Sequence, residues 1–464
     1  MSARQKKSIA LPSASRRRLL QFAAASGLLA ALDRQRALAQ SASGYRALVC
    51  IFMQGGNDGE NTLVRFDSAG YQNYASIRTE ASGINLPQSQ LLPVQPKRGG
   101  PAYGFHPALA PWQELFNGGK LAVIANVGPL VQPTTRAGIV AGTALRPADL
   151  FAHNTQEVGS QTASPLVAEG TGWGGRMADK LEAASPQTLF PVMTSIAGMR
   201  PFVSGRTSVP LSISRFPQFS LSSSGEKQPQ GFDALRDAAL NAMLAQSRDN
   251  IYDVVAQLYA QEGMASASVA QPIINNAKSV AAPFFNGLSS KIAQQLKSVA
   301  LLIEGRAQTQ VSRQVFFTQQ GSYDTHDNQI VLHAGLLGEL AAATKAFQSA
   351  MEAIGTSDAV TTFTLSDFGR SLKPASNNGT DHGWGNYAFV IGGAVRGGDL
   401  YGTPPVQALG GPDDFSTAGR WIPTTSIEQY AAPLVRWMGV AEGDLPYVFP
   451  NIGAFANTSV GFMT

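Results

Sequence analysis

The sequence predicts an α/β fold in which helices cover both faces of a mostly parallel sheet. Three observations support it. Short apolar runs are too continuous for half-exposed strands and indicate buried ones. Segments with helical periodicity lie between these runs, and this alternation is typical of a doubly wound sheet. Of the 464 residues, 44% are hydrophobic and only 14% are charged, which excludes a disordered chain.

Six apolar runs are predicted to be the buried strands. They are residues 45–53, 121–127, 190–195, 314–318, 360–365 and 387–391. The first run contains Cys50, the single cysteine of the chain, which we interpret as a small buried hydrophobic residue. One cysteine excludes an internal disulfide and any site built from several cysteines.

Two helices have clear sequence signals. Residues 329–354 carry apolar side chains on one face, and residues 427–438 end at Gly439, with Pro433 as a possible kink. Residues 197–230 are rich in Ser, Pro, Gly and Phe, and residues 231–304 are predicted to be mostly helical. We therefore expect a single α/β domain over residues 40–464, with residues 197–310 as an insertion or cap.

The amino terminus predicts an export signal in residues 1–39. This segment has eight basic residues and one acidic residue, a net charge of +7, whereas the whole chain carries +4. The mature chain is therefore mildly acidic, which argues against a nucleic-acid partner. Arg16 and Arg17 precede an apolar run too short to span a bilayer, and small residues precede Gln40. This resembles a twin-arginine signal.

The export signal implies a location outside the cytoplasm and a partner during export. The twin-arginine translocase would be the partner during export, and the protein would be periplasmic or secreted. No stable membrane span is expected after cleavage. An uncleaved membrane anchor is the alternative.

Polar residues that suit a metal follow several of the predicted strands. They are Asp58 after the first strand, Asp324 and His326 after residues 314–318, Asp367 after residues 360–365, and then Asp381 and His382. Ligands of open α/β sheets bind beyond the carboxyl ends of the strands. Carboxylate oxygens and imidazole nitrogens suit a divalent cation. The alternative is that Asp58, Asp324 and Asp381 cap helices.

Seven motifs in one order make the sequence similar to a known bacterial family. They are residues 55–59 (GGNDG), 105–109 (FHPAL), 150–156 (LFAHNTQ), 171–176 (TGWGGR), 323–326 (YDTH), 366–370 (SDFGR) and 379–383 (GTDHG). With the export signal, they resemble domain of unknown function 1501, over about residues 45–440. That family is related to the alkaline-phosphatase-like superfamily of phosphatases, sulfatases and cofactor-independent phosphoglycerate mutases. The resemblance implies a three-layer α/β/α sandwich.

The resemblance also implies roles for residues. Asp58, Asp324, His326, Asp367, Asp381 and His382 would bind a divalent metal ion: zinc, manganese, magnesium or calcium. From its own place after a predicted strand, Arg370 could clamp an anionic ester substrate. The alternative is a surface or helix-capping arginine. Three features depart from the pattern: Ala152 replaces a frequent Ser, Phe368 replaces the His expected after Asp367, and the spacing between Asp324 and His326 is shorter than in the phosphatases. Thr155 could then stand in as the nucleophile.

Two functions follow from these residues. The leading hypothesis is a metal-dependent hydrolase of phosphate or sulfate esters. The alternative, favoured by Ala152 and Phe368, is a non-catalytic envelope or extracellular binding protein on a degenerate form of the fold. Among the other histidines, His106 and His333 are interpreted as structural. His153 is open between capping or packing and the edge of an active site.

Overall fold

The computed structural model describes residues 44–166, 170–184, 190–213, 232–246 and 250–464. The predicted export signal at residues 1–39 lies outside the described residues. The same is true of residues 214–231, which belong to the predicted insertion.

The strands match the six predicted runs and add shorter ones. They are β1 (Arg46–Met53), β2 (Leu63–Arg65), β3 (Leu92–Val94), β4 (Tyr103–Phe105), β5 (Leu121–Gly128), β6 (Met193–Ser195), β7 (Leu211–Ser212), β8 (Arg313–Gln320), β9 (Val360–Ser366), β10 (Arg370–Pro374), β11 (Thr380–His382), β12 (Asn386–Gly392), β13 (Asp399–Tyr401) and β14 (Thr425–Ser426).

In the described part of the chain, nine strands form one central sheet. Their order is β13-β5-β12-β9-β1-β8-β6-β7, and β14 also pairs with β5. Strand β12 is antiparallel to both of its neighbours, β5 and β9, whereas the other pairings are parallel. Strand β1 lies between β8 and β9, so strands from both sides of the middle segment share one sheet.

The helices lie between the strands in sequence. They are α1 (Gly59–Thr62), α2 (Ser68–Ile77), α3 (Ala110–Asn117), α4 (Arg136–Val140), α5 (His153–Thr162), α6 (Trp173–Ala183), α7 (Phe232–Leu244), α8 (Ile251–Ile274), α9 (Lys291–Glu304), α10 (Arg306–Thr309), α11 (Gln329–Ala353), α12 (Ile427–Met438) and α13 (Leu445–Val448).

Aromatic contacts show that helices cover both faces of the sheet. Phe363 of β9 pairs across the strands with Val390, so Phe389, the next residue along β12, faces the other way. Trp112 of α3 packs on Phe389, at 4.6 Å between ring centroids. Trp173 of α6 packs on Phe363 at 5.4 Å, on the opposite face. The predicted three-layer α/β/α sandwich with a mostly parallel sheet is therefore confirmed.

The predicted insertion needs a correction at its carboxyl end. Helix α9 falls within residues 197–310 but is not a peripheral cap, because Leu296, Val299 and Leu302 are fully buried. It packs against β8 and α11 and forms part of one helical layer. Helix α8, by contrast, exposes Tyr252 and Tyr259.

Helix α11 has the length and apolar composition of a membrane-spanning helix. Leu337, Leu340 and Phe347 are nevertheless buried in the protein core, and α11 packs against α3 and α9. These contacts are those of a core helix in a folded domain.

Two histidines are buried structural groups, as the sequence predicts. His106 Nδ1 accepts a hydrogen bond from the Ala108 amide at 3.0 Å, which caps a short 3₁₀ turn. His333 Nε2 lies 2.9 Å from Asn57 Oδ1. Burial lowers the pKa of His106 to about 4 and that of His333 to about 3, although the charge of Asp58 opposes both shifts.

A buried neutral histidine makes stability fall with acid, and His333→Gln should reduce this fall. Below pH 6.5 the unfolded chain protonates this imidazole, whereas the folded chain does so only near pH 3. In that window one such group lowers the free energy of unfolding by about 1.4 kcal/mol per pH unit. The free energy of unfolding can be measured by denaturant unfolding of chelator-treated protein between pH 4 and 7. Plotted against pH, it should fall less steeply toward acid in the variant. Equal slopes in variant and parent would contradict this account.

Candidate metal centre

The sheet topology brings the candidate residues to one edge. Strands β1, β8 and β9 are parallel, so their carboxyl ends and the turns that follow them share that edge. Strand β12 runs the other way, so the chain that enters it arrives at the same edge. Asp324, Asp367 and His382 are positioned in this way, from three separate parts of the sequence.

Three imidazoles converge on one carboxylate oxygen. Asp324 Oδ1 lies 3.3 Å from His153 Nε2, 3.0 Å from His326 Nε2 and 3.2 Å from His382 Nε2. The Nε2 atoms of His326 and His382 are 2.9 Å apart. One ligand atom each from His153, Asp324 and His382 can be chosen so that all lie within 4.8 Å of one another.

His153 is oriented by Asp367. Helix α5 begins at His153, and the imidazole Nδ1 lies 2.7 Å from Oδ2 of Asp367, whose side chain is fully buried. The other carboxylate oxygen of Asp367 accepts the Gly55 amide at 3.0 Å. The hydrogen bond to Asp367 raises the pKa of His153. With Nδ1 donating to the carboxylate, Nε2 faces Asp324, and within the described residues it has no hydrogen-bond partner.

His382 is oriented by a backbone carbonyl. Its Nδ1 bonds to the Phe151 carbonyl oxygen, so Nδ1 carries the proton and Nε2 presents its lone pair. Burial lowers the pKa of His382, which favours this neutral form. Phe151 has a φ of +73°, a left-handed conformation that is costly for an aromatic residue. Backbone strain at this position therefore coincides with the orientation of a candidate ligand.

His326 and Asp381 form the exposed rim of the cluster. The side chains of Asp324 and His326 are 43% and 44% exposed, so the cluster opens to solvent on this side. Asp381 Oδ1 lies 3.7 Å from His326 Nδ1, on the far side of that ring from Asp324. Asp381, predicted as a ligand, therefore faces the outer nitrogen of His326 and not the centre of the cluster.

The arrangement fits a divalent metal ion held by imidazole and carboxylate. Ligands about 2.0 Å from a tetrahedral zinc ion are about 3.3 Å apart, close to the distances around Asp324. A ligating histidine normally donates its other ring nitrogen to a carboxylate or a carbonyl, as His153 and His382 do here. The unpartnered Nε2 of His153 is explained if a cation takes the place of a proton there.

A family model described as "Protein of unknown function (DUF1501)" matches residues 45–411. The chain belongs to this family. Among curated proteins, none matches this sequence.

This DUF1501 chain is also similar to solved structures at low identity. One is the crystal structure of Ps i-CgsB, with 8% identity and a TM-score of 0.32, covering 88% of this chain and 77% of that one. Another is a candidate sulfatase from Bacteroides thetaiotaomicron VPI-5482, with 9% identity and a TM-score of 0.29, covering 88% of this chain and 75% of that one.

Asp58 of this DUF1501 protein requires a correction, because it lies outside the group of His153, Asp324 and His382 that could hold a metal ion. Its buried carboxylate forms a two-pronged ion pair with buried Arg78, at 2.7 and 3.0 Å. It also caps α1 through the Glu60 amide and accepts a hydrogen bond from Gln329. Burial acts to raise the pKa of Asp58, but the charge and hydrogen bonds of Arg78 outweigh it and lower the pKa. Asp58 is therefore a structural ion-pair partner.

Arg370 is also corrected, from a substrate clamp to a positioning residue. Its fully buried guanidinium donates to Asp324 Oδ1 at 2.8 Å, to the Gly55 carbonyl at 3.1 Å, and to the hydroxyl and carbonyl of Thr380. Four of its five N–H donors are thus used within the protein. Burial acts to raise the pKa of Asp324, but the hydrogen bond and charge of Arg370 lower it to about 2. The carboxylate is therefore ionised at neutral pH.

Thr155 does not face the cluster. It lies two positions after His153 on α5, about 200° around the helix. Its hydroxyl donates to Asp149 Oδ2 at 3.1 Å. The prediction of Thr155 as a nucleophile therefore has no geometric support.

Phe368 forms a wall of the cluster. Its ring centroid lies 4.7 Å from those of both His153 and His382. The histidine that partners Asp367 is thus not the next residue in the sequence but His153, from the start of α5. One signal could have revealed it: Phe368 leaves Asp367 without a neighbouring histidine, and His153 stands in a family motif near the start of a helix.

The assignment of Asp58 predicts a stability effect without metal loss. Asp58→Asn should lower the free energy of unfolding by about 3–5 kcal/mol, because Arg78 would stay buried without its counter-charge. Zinc bound per folded chain should not change. Asp67→Asn is the matched control: Asp67 also caps a helix and pairs with an arginine, but that pair is partly exposed, and its loss should cost less. Zinc loss from Asp58→Asn would restore Asp58 as a ligand.

Proposed function

We propose that this DUF1501 protein is an exported metal-dependent hydrolase of phosphate or sulfate esters. The observation that carries the proposal is the convergence of three imidazole nitrogens on Asp324 Oδ1. His153, Asp324 and His382 would hold the metal, and the mixture of imidazole and carboxylate favours zinc or manganese over calcium. The type of ester rests on the resemblance of the sequence motifs to the phosphatase and sulfatase superfamily.

The metal would supply Lewis-acid polarisation of the ester oxygen and a lowered pKa for water. The protein residues would orient the metal ligands. Asp367 and the Phe151 carbonyl fix the ring orientations of His153 and His382, and Arg370 keeps Asp324 ionised. The ligands are therefore arranged before substrate arrives.

Water is the proposed nucleophile. Among the described residues, no serine, threonine or cysteine side chain has a hydrogen bond to the side chains of this cluster. Position 152 is alanine, and Thr155 bonds to Asp149. His326 stands at the exposed rim, with its Nδ1 near the Asp381 carboxylate. His326 would take the proton from the attacking water as the new bond to phosphorus or sulfur forms and the bond to the leaving oxygen breaks. The imidazolium, which lies beside the Asp381 carboxylate, would then give a proton to the leaving oxygen.

The second candidate is a metal-binding protein without catalytic activity. The alanine at position 152 and the wall formed by Phe368 favour it. This candidate shares the metal centre but predicts no hydrolysis. Ester hydrolysis by the parent protein separates the two functions. Substitution of His326 then tests the proposed base, because His326 is not among the three proposed ligands.

The proposal predicts which histidines retain metal. His153→Ala and His382→Ala should lose most of the zinc bound per chain, whereas His326→Ala should keep it and lose at least about a hundredfold in kcat. His106→Asn is the matched control, because asparagine can keep the cap that His106 provides. The measurements are elemental analysis of protein purified without chelator and hydrolysis of 4-nitrophenyl phosphate and 4-nitrophenyl sulfate.

Two results would decide against the proposal. Unchanged zinc content in both His153→Ala and His382→Ala would contradict the proposed metal centre. Zinc binding without hydrolysis of any ester by the parent protein would leave the binding protein as the function.

A further inference from the structure

We infer that Arg420 recognises the oxyanion of the ester, the role that the sequence suggests for Arg370. The inference rests on the proposed function and assigns substrate recognition within it. Its ligand is a tetrahedral oxyanion, phosphate or sulfate, presented by the ester. A planar guanidinium can donate two parallel hydrogen bonds to such a group.

Arg420 lies near the exposed rim of the cluster, next to Phe151 and Asp381. Its guanidinium carbon is 4.7 Å from the centroid of the Phe151 ring, and Phe151 is the residue whose carbonyl orients His382. On the other side, Nη2 of Arg420 lies 3.8 Å from Oδ2 of Asp381, which faces the outer nitrogen of His326. The guanidinium therefore stands next to two groups that arrange the cluster, at its solvent-exposed rim.

The guanidinium of Arg420 has an N–H donor without a hydrogen-bond partner in the described part of the chain. The 3.8 Å pair with Asp381 is too long for a hydrogen bond, and both side chains are partly exposed, so this pair is worth little. Within the described residues, Nε of Arg420 is buried and has no hydrogen-bond partner. The side chain is 26% exposed, so it is partly open to solvent. A structural arginine would use its donors within the protein, as Arg370 does.

The loop that carries Arg420 is held in place. The buried Asp414 carboxylate accepts hydrogen bonds from the backbone amides of Gly410, Ser416, Gly419 and Arg420, at 2.9 to 3.0 Å. The Arg136 side chain donates to the carbonyls of Asp414 and Ser416. The backbone of Arg420 is thus fixed before any ligand binds, and less conformational entropy is lost on binding.

The test is oxyanion binding by Arg420→Gln, measured by calorimetry with inorganic phosphate and inorganic sulfate on zinc-loaded protein and on chelator-treated protein. Affinity for the better-bound ion should fall about tenfold or more. Bound zinc and the unfolding midpoint should stay as in the parent. Arg420→Lys should restore only part of the affinity, because it keeps the charge but loses the planar fork.

Arg98→Gln is the matched control. Arg98 likewise stacks on an aromatic ring, that of Tyr401 at 4.1 Å, and pairs with a carboxylate, that of Asp399, but it lines a different groove. Its loss should leave oxyanion affinity unchanged. The ion that the parent protein binds more tightly identifies the ester as a phosphate or a sulfate.

The outcomes separate this inference from the proposed function. Parental oxyanion affinity in Arg420→Gln, with zinc bound normally, would overturn the role of Arg420 and leave the hydrolase proposal in place. No binding of either ion by the parent protein would also overturn the inference. Failure of the parent to bind zinc would overturn the hydrolase proposal, and the chelator-treated titrations would still decide whether Arg420 binds the anion.

Discussion

The carboxylate of Asp324 is the interaction on which the site depends. It is the single group that all three imidazoles approach, and it follows the strand next to β1 in the middle of the sheet. Arg370 holds it in the ionised form, and its pKa falls to about 2. Three nitrogens around one anionic oxygen, two of them with lone pairs fixed by bonds at Nδ1, form an arrangement that a cation stabilises. Without a bound cation, the neutral His382 ring would direct a lone pair at a carboxylate, whereas the raised pKa of His153 favours a proton on that ring.

A buried polar network supports this arrangement from behind. Gln329 connects the two charged pairs, since its amide donates to Asp58 and its carbonyl oxygen accepts from the Thr380 hydroxyl, which in turn bonds to Arg370. Asp58 with Arg78 and Asp324 with Arg370 thus belong to one chain of hydrogen bonds. A buried ion pair contributes little net stability, but the loss of one partner is costly. The intact network therefore adds little net stability, but the fold depends on each charged partner being present.

The fold could be predicted from sequence to a large extent, because burial on both faces gives strands such as β1 and β9 a continuous apolar run. The antiparallel direction of β12 was not visible, since its apolar run looks like that of a parallel strand. In the site, Asp324, Asp367 and His382 could be identified from their places near strand ends. Arg78 could not be identified, because the sequence around it gives no sign that this arginine is buried and pairs with Asp58. His153 lies at a helix start, where capping explained it equally well.

The most direct test of the metal centre is a crystal structure of the exported protein with zinc, with data collected on both sides of the zinc absorption edge. We expect one anomalous peak bounded by His153 Nε2, Asp324 Oδ1 and His382 Nε2, at about 2.0–2.2 Å from each. His326 should lie beside the peak at the solvent side. A peak at Asp58, or hydrogen bonds among the histidines and Asp324 with no peak between them, would contradict the account.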